Sequence, residues 1–208
     1  MNGITAFIDG SNIYGSDDET SIGLRDVVQV TGANGEKTTT PGARLKTQKD
    51  SAGNEHLPTR RQCGFASLKE PAVPTPDDLT GGDIRAVVQP GITSIHTLFL
   101  HEHNRIVDAL KVLWEGEAKT KDLSANVRED FIFQVRILFG KLLNLIQSTI
   151  FQLARKLVGA ELQRITYQEW LPVVLGKRAL GNLVANDTEY DQNVDPSIIN
   201  EFSTVAFR

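Results

Sequence analysis

Two long stretches of this chain place apolar residues at helical spacing. After Pro90, the positions Ile92, Ile95, Phe99, Ile106, Leu110 and Leu113 fall three, four or seven apart, with Leu98 beside them. Proline fits a helix's first turn and not its interior, so this helix is expected to begin at Pro90 and run past Ile106 toward Trp114. A charged loop is expected over 115–130. A second helical pattern then runs from Phe131 to about Val174 and holds Phe151, Leu153, Leu157, Leu162 and Ile165. A short helix is expected from Asp17, ending near Leu24-Arg25. Asp195 before Pro196 makes a cap and first-turn pair for a last apolar stripe of Ile198, Ile199, Phe202, Val205 and Ala206. Residues 32–62 are polar and rich in Gly, Thr, Lys and Pro without a sustained period, and read as a long mobile surface loop. Pro71, Pro74 and Pro76 exclude regular helix or central strand just before residue 81. The expected fold is mainly α with long irregular loops.

Composition narrows the class without naming it. The 208 residues suit one or two domains, and 40% hydrophobic with 23% charged is ordinary for a soluble globular chain. A net charge of −4 and a pI near 5.6 argue against a nucleic-acid or anionic-membrane partner. Polar residues Gln134, Arg136, Lys141, Asn144 and Gln147 interrupt the most apolar stretch, near 131–151, so no membrane span is expected. Met1-Asn2-Gly3-Ile4-Thr5 lacks a basic start and a long apolar run, so no signal peptide is expected in this chain. The lone Cys63 cannot form an internal disulfide.

Candidate chemistry sits at three places. Gly81-Gly82-Asp83-Ile84-Arg85 puts one permanent positive charge in a tight loop ahead of an apolar helix, where it can be aimed into a pocket. The plainer alternative is a surface arginine paired with Asp83. Near the start, Thr5, Asp9 and Ser11 carry side-chain oxygens at alternating positions, and Phe7 between them can offer its carbonyl. Calcium takes six to eight such oxygens, so this loop could supply about half a shell; otherwise it is simply a turn. His96, His101 and His103 with Glu102 suggest a metal, but a zinc protease needs His-Glu-x-x-His, which is absent. On a helix, His96 and His103 share a face while His101 points away, which fits satisfied helix histidines. His56 lies in the polar loop and reads as solvated.

Read together, Gly82-Asp83-Ile84-Arg85, Gln89-Pro90-Gly91-Ile92-Thr93 and His96-Thr97-Leu98-Phe99-Leu100-His101-Glu102-His103-Asn104-Arg105-Ile106 closely resemble the animal haem peroxidases. So do Leu153-Ala154-Arg155-Lys156-Leu157-Val158-Gly159-Ala160-Glu161 and Ile165-Thr166-Tyr167-Gln168-Glu169-Trp170-Leu171-Pro172. The resemblance implies a central portion of that domain, covering less than half of it, with Arg85 on the distal side of a haem. It implies calcium at Thr5, Phe7, Asp9 and Ser11, with the remaining ligand upstream of this chain. It implies hydrogen peroxide and a small donor or halide as substrates. The family is largely secreted, so an extracellular or secretory location is implied for the parent protein.

Departures from the family pattern carry expectations of their own. Val88 stands where many relatives have a glutamate that esterifies the haem, and Gln89 where some have a methionine that also bonds it. Fewer covalent anchors are therefore expected. Neither of the family's two functional histidines falls in this span, so these residues alone are expected to be inactive as a peroxidase. The alternative is a non-enzymatic helical interaction module. Relatives join Ile-Phe-Gln directly to Ala-Arg-Lys, whereas this chain has Ile132-Phe133-Gln134 and again Ile150-Phe151-Gln152, leaving residues 135–152 surplus. Splice-donor codons can encode Val135-Arg136 and an acceptor Phe151-Gln152, so the segment reads as a retained-intron insertion; a genuine helical insertion is the alternative.

Overall fold

A computed structural model describes residues 7–31, 35–65, 78–120 and 125–176, with Asn193, Asp195, Ser197, Glu201 and Val205; at Ile84 and over 113–144 it describes backbone alone. The fold is mainly α, as the apolar spacing predicts. Two long helices dominate, α4 (Pro90–Thr120) and α5 (Ala125–Arg164). A π turn, Ile165–Trp170, and the short α6 (Leu171–Leu175) continue α5. Ahead of them lie α1 (Ser11–Tyr14), α2 (Asp18–Leu24), β1 (Arg25–Thr31), β2 (Lys37–Leu45), β3 (Gln48–Lys49), β4 (Glu55–His56) and α3 (Arg60–Cys63). A 3-10 turn, Ile84–Val87, leads into α4.

Local chemistry sets several of these boundaries. Asp17 caps α2 by accepting from Thr20 N at 2.7 Å, and the helix gives way to β1 at Arg25 as expected. Pro90 opens α4. Thr59 and Gln62 form a reciprocal capping box around α3. Asp195 Oδ1 accepts from Ser197 N at 2.9 Å, the contact expected of a cap. The apolar positions from Ile198 to Phe202, Ala206, and the Pro71–Pro76 segment lie outside the described residues.

Two expectations are corrected. Residues 32–62 are not one long loop: within 35–62, β2 pairs antiparallel with β1, β3 pairs with β4, and α3 follows. Pro41 and Gly42 break the alternation that would have announced β2, and the register shifts between Arg25 and Val27 as the ribbon passes them. The strand is also defined by what covers it, which a local pattern does not show. The charged loop expected over 115–130 is mostly helix, since α4 continues to Thr120 and α5 starts at Ala125. Charged residues such as Glu115, Glu117 and Lys119 are good helix formers and need no apolar face to extend an established helix.

The core sits where β2 meets the two long helices. Tyr14, His103, Val107, Phe151 and Val158 are fully buried. The rings of Tyr14, His103 and Phe151 meet edge-on, with centroids 5.3 to 5.8 Å apart. Among the described residues no third strand joins the free edge of β2, and side chains take its place. Asn104 Oδ1 accepts from Leu45 N at 2.8 Å while its Nδ2 donates to Leu45 O at 3.0 Å. Gln147 Oε1 accepts from Ala43 N at 2.9 Å, and His103 Nε2 donates to Ala43 O at 2.9 Å. Helix side chains thus satisfy backbone groups that burial would otherwise leave costly. Arg25 completes the seal, its guanidinium 4.4 Å from the Phe151 ring centre and its Nε donating to Gly42 O at 2.6 Å.

Candidate functional site

The loop bearing Arg85 is pressed onto the turn that holds α1. A Cβ at Gly82 would lie 2.2 Å from Gly15 N and 2.6 Å from Ile13 C, so only glycine fits there. That approach lets Asp83 N donate to Asn12 O at 3.0 Å. Asp83 Oδ1 then accepts from Arg85 N at 2.8 Å and caps the 3-10 turn. Thr93 Oγ1 reaches back from α4 to Ala86 O at 2.8 Å, tying the turn to the helix behind it.

Arg85 is held by one edge. Its Nε donates to Asp83 Oδ1 at 3.0 Å and its Nη2 to Asp83 Oδ2 at 2.6 Å. The arginine side chain remains 54% exposed, the aspartate only 12%. This fork holds the Asp83 carboxyl below its usual range and raises Arg85 further, so the pair is ionised at any ordinary pH. The pairing with Asp83 that the sequence offered as the plainer alternative is therefore present. It occupies Nε and Nη2 and leaves the guanidinium's third nitrogen outside the fork.

Of the four oxygen-bearing positions near the start, the structure brings two together. Asp9 Oδ1 accepts from Ser11 N at 2.9 Å, a tight turn ahead of α1. Ser11 is buried, Phe7 is exposed, and Thr5 lies outside the described residues. Gln163 Nε2 donates to Ile8 O at 2.9 Å, anchoring this turn to α5. Among the described residues, no group of three or more His, Cys, Asp or Glu could hold a metal ion.

The histidines are spoken for or buried. His103 Nδ1 accepts a hydrogen bond from the Tyr14 hydroxyl at 3.0 Å, and Nε2 donates to Ala43 O. Burial pulls its pKa down to about 4, so the ring is neutral. His96 is buried beneath Gly81, its Nδ1 without a hydrogen-bond partner, and burial lowers its pKa too. His101 is exposed and bonds Glu55 O at 3.2 Å, while His56 Nε2 meets Asp50 Oδ2 at 3.1 Å. His96 and His103 share the buried face, as helical geometry predicts. Spacing did not reveal that His103 and its neighbour Asn104 grip β2; two adjacent polar residues on an apolar helix face were the available signal.

Comparison with known proteins decides the family. The chain matches the animal haem peroxidase family over residues 1–208. It belongs to the animal haem peroxidases. It is 32% identical over its whole length to the peroxidasin homolog pxn-2 of Caenorhabditis elegans, 33% to thyroid peroxidase of Sus scrofa and 31% to myeloperoxidase of Mus musculus. It spans 13%, 19% and 24% of the lengths of those three proteins.

Membership in the haem peroxidase family implies haem in the parent domain, and the residues here can be tested against it. Beside the Arg85 turn lies an open hollow of about 860 Å³, walled by Val87, Val88, Gln89 and Pro90, with Thr93 and Thr97 of α4 behind. Glu55, His56 and Asp78 also line it, so only the Val87–Pro90 side suits the edge of a flat, largely apolar group. Val88 is 71% exposed there and offers no carboxylate for an ester. An iron ligand is not supplied: His103 has both nitrogens engaged, His96 is enclosed, and His56 and His101 are turned to Asp50 and Glu55. Val87, Val88 and Pro90 suit the edge of a haem, the carboxylates of Glu55 and Asp78 in the same hollow do not, and none of the four histidines is placed to hold its iron.

Proposed function

We propose that these residues form the arginine-bearing part of a haem peroxidase domain, whose parent protein reduces hydrogen peroxide while oxidising a small donor or halide in an extracellular or secretory setting. The observation that carries this is the construction around Arg85. A glycine approach, an aspartate cap and a threonine tie fix one edge of a permanent cation at the lip of α4. Haem, when bound, supplies the iron at which peroxide is reduced. Arg85 contributes a guanidinium whose Asp83-bound edge sets its orientation and whose other edge can donate to a peroxide oxygen as negative charge develops. Calcium at Asp9 and Ser11, with Thr5 and the Phe7 carbonyl, would stiffen the turn on which Gly82 rests.

By themselves these residues do not turn over peroxide, because no imidazole is placed to hold iron or to take the peroxide proton. The π turn and α6 also expose apolar surface, Trp170 by 57% and Val173 by 83%, which suits a face that packs against other parts of a domain. The test is to add haemin to the purified chain and follow the Soret band and peroxide-dependent oxidation of a dye. Weak haem uptake without dye oxidation is expected. A sharp Soret band with sustained turnover would overturn the reading.

A further inference from the structure

Helix α5 carries the tripeptide Ile-Phe-Gln twice, at 132–134 and 150–152, inside one unbroken run from Ala125 to Arg164. The copies are eighteen residues apart, which at about 3.6 residues per turn is five whole turns. Positions so spaced lie on one line of the helix surface, about 27 Å apart along the axis. The second copy is the one in the core. Ile150 is 5% exposed and Phe151 0%, its ring closed against Tyr14 and His103. The correspondence extends upstream. Gln147, whose Oε1 accepts from Ala43 N, has Glu129 as its counterpart eighteen residues earlier. The Ala43 N–H asks α5 for an acceptor, and a carboxylate is one.

We propose that residues 135–152 are a removable length of helix, and that α5 holds two interchangeable keys to one core. With the segment present, Phe151 fills the place between Tyr14 and His103; with it removed, Gln134 joins Leu153 and Phe133 fills that place. Three features of the chain make the exchange possible. The tripeptide is the same, so the core-facing side chains are the same. The downstream core positions Ala154 and Val158 follow either copy at the same spacing. Whole turns are lost, so the part of α5 ahead of the cut keeps the same face toward the core. Two positions change for the worse: half-buried Ile146 has Arg128 as its counterpart, and buried Gln147 has Glu129, whose carboxylate gives up water there, so the shorter chain is less stable. This concerns the fold and stands apart from the peroxidase reading.

The experiment compares the 208-residue chain with one lacking residues 135–152, following thermal unfolding by circular dichroism. Both are expected to melt cooperatively. In the long chain, Phe151→Ala should lower the midpoint by about 10 °C and Phe133→Ala should leave it nearly unmoved. In the short chain, where Phe151 is gone, Phe133→Ala should bring the loss of about 10 °C. In the long chain, Gln147→Glu should lower the midpoint by less than Phe151→Ala does, because it installs the acceptor the short chain would use at the cost of burying a carboxylate. A short chain that does not melt cooperatively overturns the proposal, as does one indifferent to Phe133→Ala. A long chain that collapses on Gln147→Glu also overturns it.

Discussion

Two polar clusters, one on helix α4 and one just ahead of it, have opposite surroundings. On the buried face of α4 His103 links the Tyr14 hydroxyl to the Ala43 carbonyl, with Phe151 sealing the side. Just ahead of α4, the Asp83–Arg85 fork leaves the arginine side chain over half in water. The buried cluster joins segments distant in the chain and the open one residues two apart, yet both use short, directional hydrogen bonds. Their energetics differ because an unmade hydrogen bond is costly only where water cannot replace it. The sealed cluster therefore holds the fold, while the open one can be unmade or redirected toward a ligand at small cost to stability.

Acid should break this contrast most sharply. Burial keeps His103 neutral in the folded chain with a pKa of about 4, against an ordinary value of 6.5. As pH falls below about 6.5 the unfolded chain takes up the proton first, so stability drops until about pH 4 and then levels, a loss of about 3 kcal/mol. Urea unfolding across that range should show the slope, and His103→Gln, which cannot titrate, should remove this part of it. If the slope persists unchanged in His103→Gln, the sealed cluster is not its source.

Next in size is Gly82→Ala. A methyl there meets backbone of Ile13 and Gly15, which cannot swing aside, so a loss of about 1–3 kcal/mol is expected by denaturant titration. Removing only the hydroxyl with Tyr14→Phe leaves His103 Nδ1 unpaired in the core and should cost about 1–2 kcal/mol. Smallest is Arg85→Gln, which breaks an exposed pair and should change stability by less than about 1 kcal/mol in the same assay. A loss at Arg85 as large as that at Tyr14 would erase the distinction between the clusters.

What the chain revealed on reading follows the same division. Pro90 and Asp17 act through their own backbone or the next few residues, and the helices they begin are where the spacing puts them. The Asp83 cap and its fork to Arg85 are equally local, spanning two residues. The strand β2 was not legible, because Pro41 and Gly42 spoil its pattern and its free edge is completed by Asn104 and Gln147, far along the chain. The Tyr14–His103 bond joins residues 89 apart, and nothing in either neighbourhood names the other. Family resemblance located the arginine, while the surroundings that make His103 unfit as a metal ligand required the fold.

Cys63 turns this architecture into a gauge of its own motion. It is the only cysteine in the chain, it is buried at the end of α3, and burial pushes its thiol up to about 11. Since the thiolate is the reactive species, a maleimide added near neutral pH meets almost none of it in the closed molecule. Labelling therefore counts excursions in which α3 lifts away, and its rate, read against denaturant, separates a local breath of that corner from loss of the whole structure.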